Sequence, residues 1–212
     1  MKIGIIGATG NAGSAIYQEA VQRGHEVTAI VRNEAKAKEQ LGETVKTLTK
    51  DAFSLTEEEL SDFDVLVDAF ATSPDKAYLH VDMAAKLVRL FREKNTRLFF
   101  ILGAGSLFNE AGERNLSELK KAPGSESWIA IPENQLDEYL FLETVKNVPW
   151  VGISPGNVFQ EGPAKPAILG KDHLLFNEQK ESVTSSGTLA KAIIDEIETV
   201  QHENTRFTVI DA

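Results

Sequence analysis

The sequence contains no cysteine and only four histidines. Without cysteine the chain can form no disulfide, no thiol nucleophile and no cysteine-ligated zinc site. We interpret all four histidines as surface or hydrogen-bonded residues rather than ligands, and the sequence therefore predicts no metal site. No G-x-S-x-G motif is present either, which argues against a serine hydrolase of the α/β type. The histidines are scattered along the chain at His25, His80, His173 and His202.

Basic residues are also scarce. The 22 lysines and arginines are outnumbered by 32 aspartates and glutamates, giving a formal net charge of −10. Nucleic-acid and anionic-membrane partners need a basic surface, so neither is expected. No apolar run approaches the ~20 residues of a membrane span, and the first predicted strand begins at residue 2. We therefore expect a cytoplasmic protein, a single domain over residues 1–212, present as a monomer or homodimer.

Glycine, by contrast, is concentrated at one place near the start of the chain. Residues 7–13 read Gly-Ala-Thr-Gly-Asn-Ala-Gly, after the apolar run of residues 1–6 and before a helical pattern over residues 11–23. A second β-rich run at residues 26–31 completes a βαβ unit. The glycines therefore lie in a strand-to-helix turn, the context in which such a pattern is informative.

A glycine turn of this kind is suited to binding a pyrophosphate. Glycine permits the tight turn and a close approach of backbone to ligand, and a helix N-terminus offers free N–H groups and partial positive charge. Gly13 would allow the helix to pack closely on the strand. The spacing G-x-x-G-x-x-G differs from the usual G-x-G-x-x-G of dehydrogenases. A tight turn without a ligand is the alternative.

Arg32 ends the second predicted strand, where dinucleotide-binding folds meet the adenosine ribose. An acid at this position binds the 2′-hydroxyl of NAD, whereas an arginine accommodates the 2′-phosphate of NADP. Arg32 therefore favours NADP(H) over NAD(H). The alternative is a solvated arginine neutralised by the nearby Glu34.

The rest of the chain alternates strands and helices, which predicts an α/β fold of Rossmann type, with a doubly wound, mostly parallel sheet flanked by helices. Ligands of such sheets bind at the carboxyl ends of the strands, and two long loops, at about 103–131 and 155–181, would build a substrate pocket there. Further strands are predicted at 44–48, 64–70, 97–102, 150–154 and 206–210, and helices at 34–41, 74–94, 133–146 and 187–200, with a brief one opened by a Thr56–Glu59 capping box.

With these residues in view, the chain resembles the atypical short-chain dehydrogenase/reductase group with an NAD(P)H-binding domain. That group includes NmrA-like proteins, the flavin reductase/biliverdin reductase B type and bacterial proteins described as NADH-flavin reductases. The likeness covers essentially the whole chain and rests on residues 5–13, 24–33, 103–106 and the segment from 182 to 209.

The resemblance implies a role for each residue at the strand ends. Thr9, Gly10, Asn11, Ala12 and Gly13, after Gly7, would hold the pyrophosphate, and Arg32 would meet the 2′-phosphate. Asp51 and Ala52 would lie along the adenine, and Ala69 and Phe70 would flank the nicotinamide ribose. Gly103 and Ala104 complete the predicted cofactor-binding set.

Typical short-chain dehydrogenases use a Tyr-x-x-x-Lys pair as acid and base, and this chain has none. Tyr17, Tyr78 and Tyr139 are followed four residues later by Val21, Asp82 and Glu143. The sequence therefore favours an NADPH-dependent reductase of a planar acceptor such as a flavin or quinone, with Ser106 as the candidate catalytic hydrogen-bond donor. A non-catalytic NADP(H)-binding sensor of the NmrA-like kind is the alternative.

Overall fold

The structure is a computed structural model that describes residues 1–212. Ten strands and seven α-helices alternate along most of the chain. The strands are β1 (Lys2–Ile6), β2 (Glu26–Val31), β3 (Lys46–Thr49), β4 (Val65–Asp68), β5 (Arg97–Ile101), β6 (Trp150–Pro155), β7 (Val158–Gln160), β8 (Ala167–Gly170), β9 (Val183–Ser185) and β10 (Thr205–Asp211). The helices are α1 (Asn11–Gln22), α2 (Glu34–Leu41), α3 (Glu57–Leu60), α4 (Leu79–Phe91), α5 (Leu116–Leu119), α6 (Ala130–Glu143) and α7 (Ser186–Glu198).

Eight strands form one sheet in the order β3-β2-β1-β4-β5-β6-β10-β8. Every neighbouring pair is parallel except β8, which runs antiparallel to β10. From β1 the chain adds β2 and β3 on one side of the sheet, and it then adds β4, β5 and β6 on the other side. Where the direction changes, a crevice opens at the carboxyl ends of β1 and its neighbours β2 and β4. The predicted doubly wound, mostly parallel sheet is therefore confirmed. No helix is both long and apolar enough to cross a membrane.

Alternate side chains of the strands bury against helices on the two faces of the sheet. On one face, Ile3 and Ile5 of β1 pack with α1 and α7. On the other, Ile6 of β1 and Leu66 of β4 pack with α4 and α6. The period of two along a strand is what sends neighbouring residues into opposite layers. A residue at the end of β4 that points the same way as Leu66 therefore lies between the sheet and the helices α4 and α6.

The structure corrects three of the predicted elements. The helix predicted at 74–94 begins with a 3₁₀ turn over Pro74–Lys76, because N–H groups there bond three residues back, and its α-helical part is only α4. Helix α6 starts three residues before the predicted start. The predicted loop at 155–181 contains two short strands, β7 and β8, and neither has a buried residue to reveal it.

Candidate active site

The glycine turn between β1 and α1 is packed against the end of β4. Gly7 has a φ of +74°, and a Cβ at this position would come within 2.5 Å of the Ala69 carbonyl oxygen. A Cβ on Gly13 would overlap the carbonyl oxygen of Gly7. Glycine at these two positions is therefore needed for the turn, the helix and β4 to approach so closely.

We expect Gly13→Ala to lower the free energy of unfolding by about 1–3 kcal/mol, because the added methyl meets fixed backbone rather than a movable side chain. Urea unfolding measures the change. Ser14→Ala, on the adjacent helical residue, is the matched control and should stay within about 0.5 kcal/mol of the parent protein. Equal effects of the two substitutions would contradict the packing argument.

The N-terminus of α1 is free to receive an anion. Gly10 is the N-cap residue, no side chain caps the helix, and its first turn contains no acidic residue. The N–H groups of Asn11, Ala12 and Gly13 have no carbonyl partner within the helix, as at any helix start. The turn therefore presents free donors and the positive end of the helix dipole towards the cleft beside it.

That cleft has a volume of about 700 Å³ and runs along the carboxyl ends of β1, β2 and β4. Its size suits an extended small-molecule ligand. The predicted residues that line it are Gly7, Thr9, Gly10, Arg32, Asp51, Ala52, Ala69 and Phe70. Eight residues chosen from separate stretches of sequence are thus brought to a single cavity.

The cleft is locally basic although the protein is acidic. Arg32 is exposed and forms no salt bridge, because Glu34 instead pairs with Lys38 at 2.6 Å. Lys36 and Lys76 also line the cleft. Sequence reasoning missed these two lysines, although Lys36 lies one helical turn beyond Arg32. The arrangement attracts a ligand with several negative charges.

Aromatic rings close the floor of the cleft. Asp51 accepts a hydrogen bond from the Phe53 N–H group at 2.9 Å, which caps the short 3₁₀ turn that carries Ala52 and Phe53. The Phe53 ring meets the Phe70 ring edge to face, with centroids 5.6 Å apart. An apolar surface made of two perpendicular rings therefore lies between the ends of β3 and β4, where a planar ring can pack.

Gly103 and Ala104 are buried beyond the cleft lining. The side chain of Gln135, on α6, lies so close to Gly103 that a Cβ there would overlap its amide oxygen. Gln135 was not predicted, and only the packing of α6 onto the end of β5 reveals it. These residues pack together at the end of β5, and none of them lines the cleft.

Ser106 is fully buried, and its hydroxyl is engaged within the protein. It donates a hydrogen bond to the Gly103 carbonyl oxygen at 2.9 Å and accepts one from Nη1 of Arg206 at 2.6 Å. To donate to a substrate it would have to give up the Gly103 oxygen. A direct catalytic role for Ser106 therefore stays a prediction.

Tyr139 is similarly committed. Its hydroxyl donates to Oε1 of Glu143 at 2.8 Å, and the guanidinium of Arg206 lies 4.0 Å from the centre of its ring. Burial raises the pKa of Tyr139 to about 12, although the positive charge of Arg206 opposes the shift. The phenol is therefore held neutral, in contrast to the lysine-activated tyrosine of typical short-chain dehydrogenases.

Three titratable side chains lie buried beneath the cleft, namely Asp68, His80 and Glu138. Burial raises the pKa of Asp68 to about 7 and lowers that of His80 to about 4. Burial, and then repulsion from Asp68, raise the pKa of Glu138 well above its ordinary value. The interpretation of His80 as a surface or satisfied residue is wrong, because its Nε2 is buried without a hydrogen-bond partner.

A family model described as NAD(P)H-binding matches residues 7–199, which include every predicted cofactor-binding residue. The chain belongs to this NAD(P)H-binding family. The resemblance to atypical short-chain dehydrogenases/reductases is thereby confirmed.

Relatives and solved structures match along the full length of the chain. The Bacillus subtilis protein YwnB is 39% identical over 99% of this chain and 98% of its own. A structure from Lactobacillus casei is 42% identical with a TM-score of 0.93, covering 100% of both chains. A Streptococcus pneumoniae structure, described as a "putative NADH-flavin reductase", is 33% identical with a TM-score of 0.89, again covering 100% of both.

Proposed function

We propose that this protein is an NADPH-dependent reductase of a flavin, quinone or similar planar acceptor. The observation that carries the proposal is the basic cleft at the uncapped start of α1, with Arg32 free of any salt bridge. The description of the Streptococcus pneumoniae relative supports the same reaction class. When bound, the cofactor would supply a hydride to the acceptor.

In this proposal each wall of the cleft binds one part of the cofactor. The first turn of α1 holds the pyrophosphate through its free N–H groups. Arg32 binds the 2′-phosphate, and Lys36 adds positive charge beside it. Asp51 and Ala52 lie along the adenine. As the family resemblance implies, Ala69 and Phe70 flank the nicotinamide ribose, with the nicotinamide beside them at that end of the cleft.

The acceptor would bind beyond that end, against the wall formed by Gly103, Ala104 and Gln135. A flavin or quinone accepts hydride directly, so the protein has to hold two rings in contact and exclude water between them. This requirement fits a site in which the two buried hydroxyls near that wall, on Ser106 and Tyr139, are already bonded within the protein.

The deciding experiment follows NADPH oxidation by the purified protein with a panel of flavins and quinones, with NADH in parallel. Rapid turnover with one acceptor supports the reductase, and preference for NADPH supports the role of Arg32. Absence of turnover with every acceptor, at high enzyme concentration, overturns the proposal.

Arg32→Ala should weaken NADPH binding about 10–100-fold, because charge-assisted hydrogen bonds to the 2′-phosphate are lost. NADH binding should be nearly unchanged. Arg92→Ala removes an exposed arginine outside the cleft lining and is the matched control. Titration calorimetry measures all the affinities. An equal loss for NADH and NADPH would contradict the assigned role.

A second candidate is a non-catalytic NADP(H) sensor. The buried, fully engaged hydroxyls of Ser106 and Tyr139 favour it, since they leave the far end of the cleft without a free acid. Tight NADPH binding without turnover of any acceptor would select the sensor over the reductase.

A further inference from the structure

A pair of carboxyl groups and an imidazole are buried together between the sheet and two helices. Asp68 ends β4, His80 lies in α4 and Glu138 in α6, and their exposed fractions are 6%, 5% and 2%. Such groups are rare in a protein interior unless they are paired or have a function. The cleft residues already described do not account for them.

The three side chains are poorly satisfied. Oε2 of Glu138 and Nε2 of His80 have no hydrogen-bond partner, and Nδ1 of His80 lies 3.9 Å from that same Glu138 oxygen. Asp68 accepts only the Phe70 N–H group, at 3.0 Å. A buried polar atom left without a partner is unfavourable by about 1–3 kcal/mol, so this arrangement is suited to holding a mobile proton.

No cation neutralises the two carboxyl groups. On α4, the Lys86 amine donates to the carbonyl oxygens of Phe53 and Leu55. On β5, Arg97 pairs with Glu196 at the opposite end of the strand. Lys76 is exposed in the cleft lining, and Asp137, the other acid of this part of α6, is exposed. The one basic side chain near either carboxyl group is therefore His80, 3.9 Å from Glu138, and burial keeps it neutral.

The cluster lies directly beneath one end of the cleft. Asp68 is followed in the chain by Ala69 and Phe70, and His80 follows Leu79; these three neighbours all line the cavity. The Phe70 ring separates His80 from it, with the two rings edge to face and their centroids 5.7 Å apart. A charge that appears at this end of the cleft would act on the carboxyl pair through a medium of low dielectric constant.

We propose that Asp68 and Glu138 form a proton site that gives up one proton to solvent when the nicotinamide in the cleft becomes cationic, with His80 as their neutral neighbour. This inference rests on the proposed function, because it requires the nicotinamide to lie at the Ala69–Phe70 end. The oxidised nicotinamide ring is positively charged and the reduced ring is neutral. An ionised carboxyl beneath the ring therefore favours the oxidised form.

The proposal balances the reductase reaction. The acceptor receives a hydride, which is two electrons and one proton, and it needs one more proton. Solvent supplies that proton to the acceptor. The carboxyl pair releases one proton to solvent, and the carboxylate left behind compensates the positive charge that the hydride transfer creates. Solvent returns the proton to the pair once the oxidised cofactor has left.

The experiment measures protons released on binding, without turnover. NADP⁺ and NADPH are titrated separately at pH 7 by calorimetry, in two buffers of different ionisation enthalpy. We expect NADP⁺ binding to release up to one proton and NADPH binding to release almost none. Asp68→Asn and Glu138→Gln should each reduce the NADP⁺-linked release at least twofold. Asp137→Asn, which removes an exposed acid next to Glu138, should leave it unchanged.

Equal release with both cofactors, or unchanged release in both carboxyl variants, would overturn the proton site. The comparison of the two cofactors uses the unaltered protein, so it stands even if a variant fails to fold. If the unaltered protein oxidises NADPH with an acceptor yet shows no difference in proton release, only this inference fails. If it binds neither cofactor, the proposed function fails and the proton site with it.

Discussion

Arg206→Met should lower the free energy of unfolding by about 3 kcal/mol. Arg206 is fully buried on β10, and its guanidinium donates to Oγ and the carbonyl oxygen of Ser106 and, through Nε, to Asp172 at 3.0 Å. Its removal leaves buried acceptors with fewer donors, at about 1–3 kcal/mol for each group left unsatisfied. The unbranched methionine side chain replaces the aliphatic stem of the arginine but leaves the space of the guanidinium group empty.

Arg206 also holds the turn that follows β5. The carbonyl oxygen of Ser106 receives one hydrogen bond from Arg206, at 2.9 Å, and another from Arg114, at 2.5 Å. The two guanidinium groups meet the Tyr139 ring at 4.0 and 5.6 Å from its centre. Arg206 is therefore a positioning residue for the 103–106 turn, and its loss should displace the proposed acceptor wall more than the proposed phosphate-binding end of the cleft.

Urea unfolding measures the stability of Arg206→Met, and kinetics with the preferred acceptor measure its effect on the site. We expect the KM for the acceptor to rise while the affinity for NADPH changes little. Arg206→Lys keeps the charge but cannot reproduce three fork-directed bonds, so it should recover only part of the stability. Arg92→Ala is the surface control. Unchanged stability in Arg206→Met would refute the assigned role.

The cleft side of the site, where we propose that the cofactor binds, could be predicted from sequence because its signals are local. Residues 1–31 contain a complete strand, glycine turn, helix and strand, and the structure has β1, α1 and β2 at those places. Arg32 follows from its position at the end of β2 alone. Each of these features depends only on residues that are close together in the sequence. The parallel sheet then brings the ends of the strands to one edge.

The proposed acceptor half and the proposed proton site depend on contacts between distant residues. Asp68, His80 and Glu138 occupy apolar positions of β4, α4 and α6, where each looked like an isolated polar residue. Arg206 looked like an ordinary residue of the last strand, since its partners Ser106 and Asp172 are 100 and 34 positions away. The one available sequence signal of these buried groups was an ionisable residue within an otherwise apolar strand, as at Asp68 and Arg206.

The second large effect is expected from Asp68→Asn, which should stabilise the protein at pH 8 and much less at pH 5. Burial raises the pKa of Asp68 to about 7 from an ordinary 3.8, so the folded protein keeps a proton that the unfolded chain releases. Stability is therefore lost as the pH rises from about 4 to about 7, and the loss is complete above that. Asparagine has the same shape, can still accept the Phe70 N–H group and never ionises.

One pKa unit corresponds to about 1.4 kcal/mol, so we expect a gain of about 2–4 kcal/mol at pH 8. Urea unfolding at pH 5, 6.5 and 8 measures it. His80 has the opposite sign: burial lowers its pKa to about 4, so stability falls as the pH drops below about 6.5. That loss occurs in both proteins and cancels in their difference. Asp137→Asn is the exposed control, and a gain that does not vary with pH would contradict the prediction.

This stability measurement also bears on why an ionisable group lies beneath the cleft. An asparagine that is more stable at neutral pH would mean that the carboxyl group opposes folding there. If the same substitution removes proton release on NADP⁺ binding, one property of Asp68 explains both results. The burial that destabilises its carboxylate also makes the proton respond to a positive charge in the cleft, because the two charges attract strongly where water is excluded.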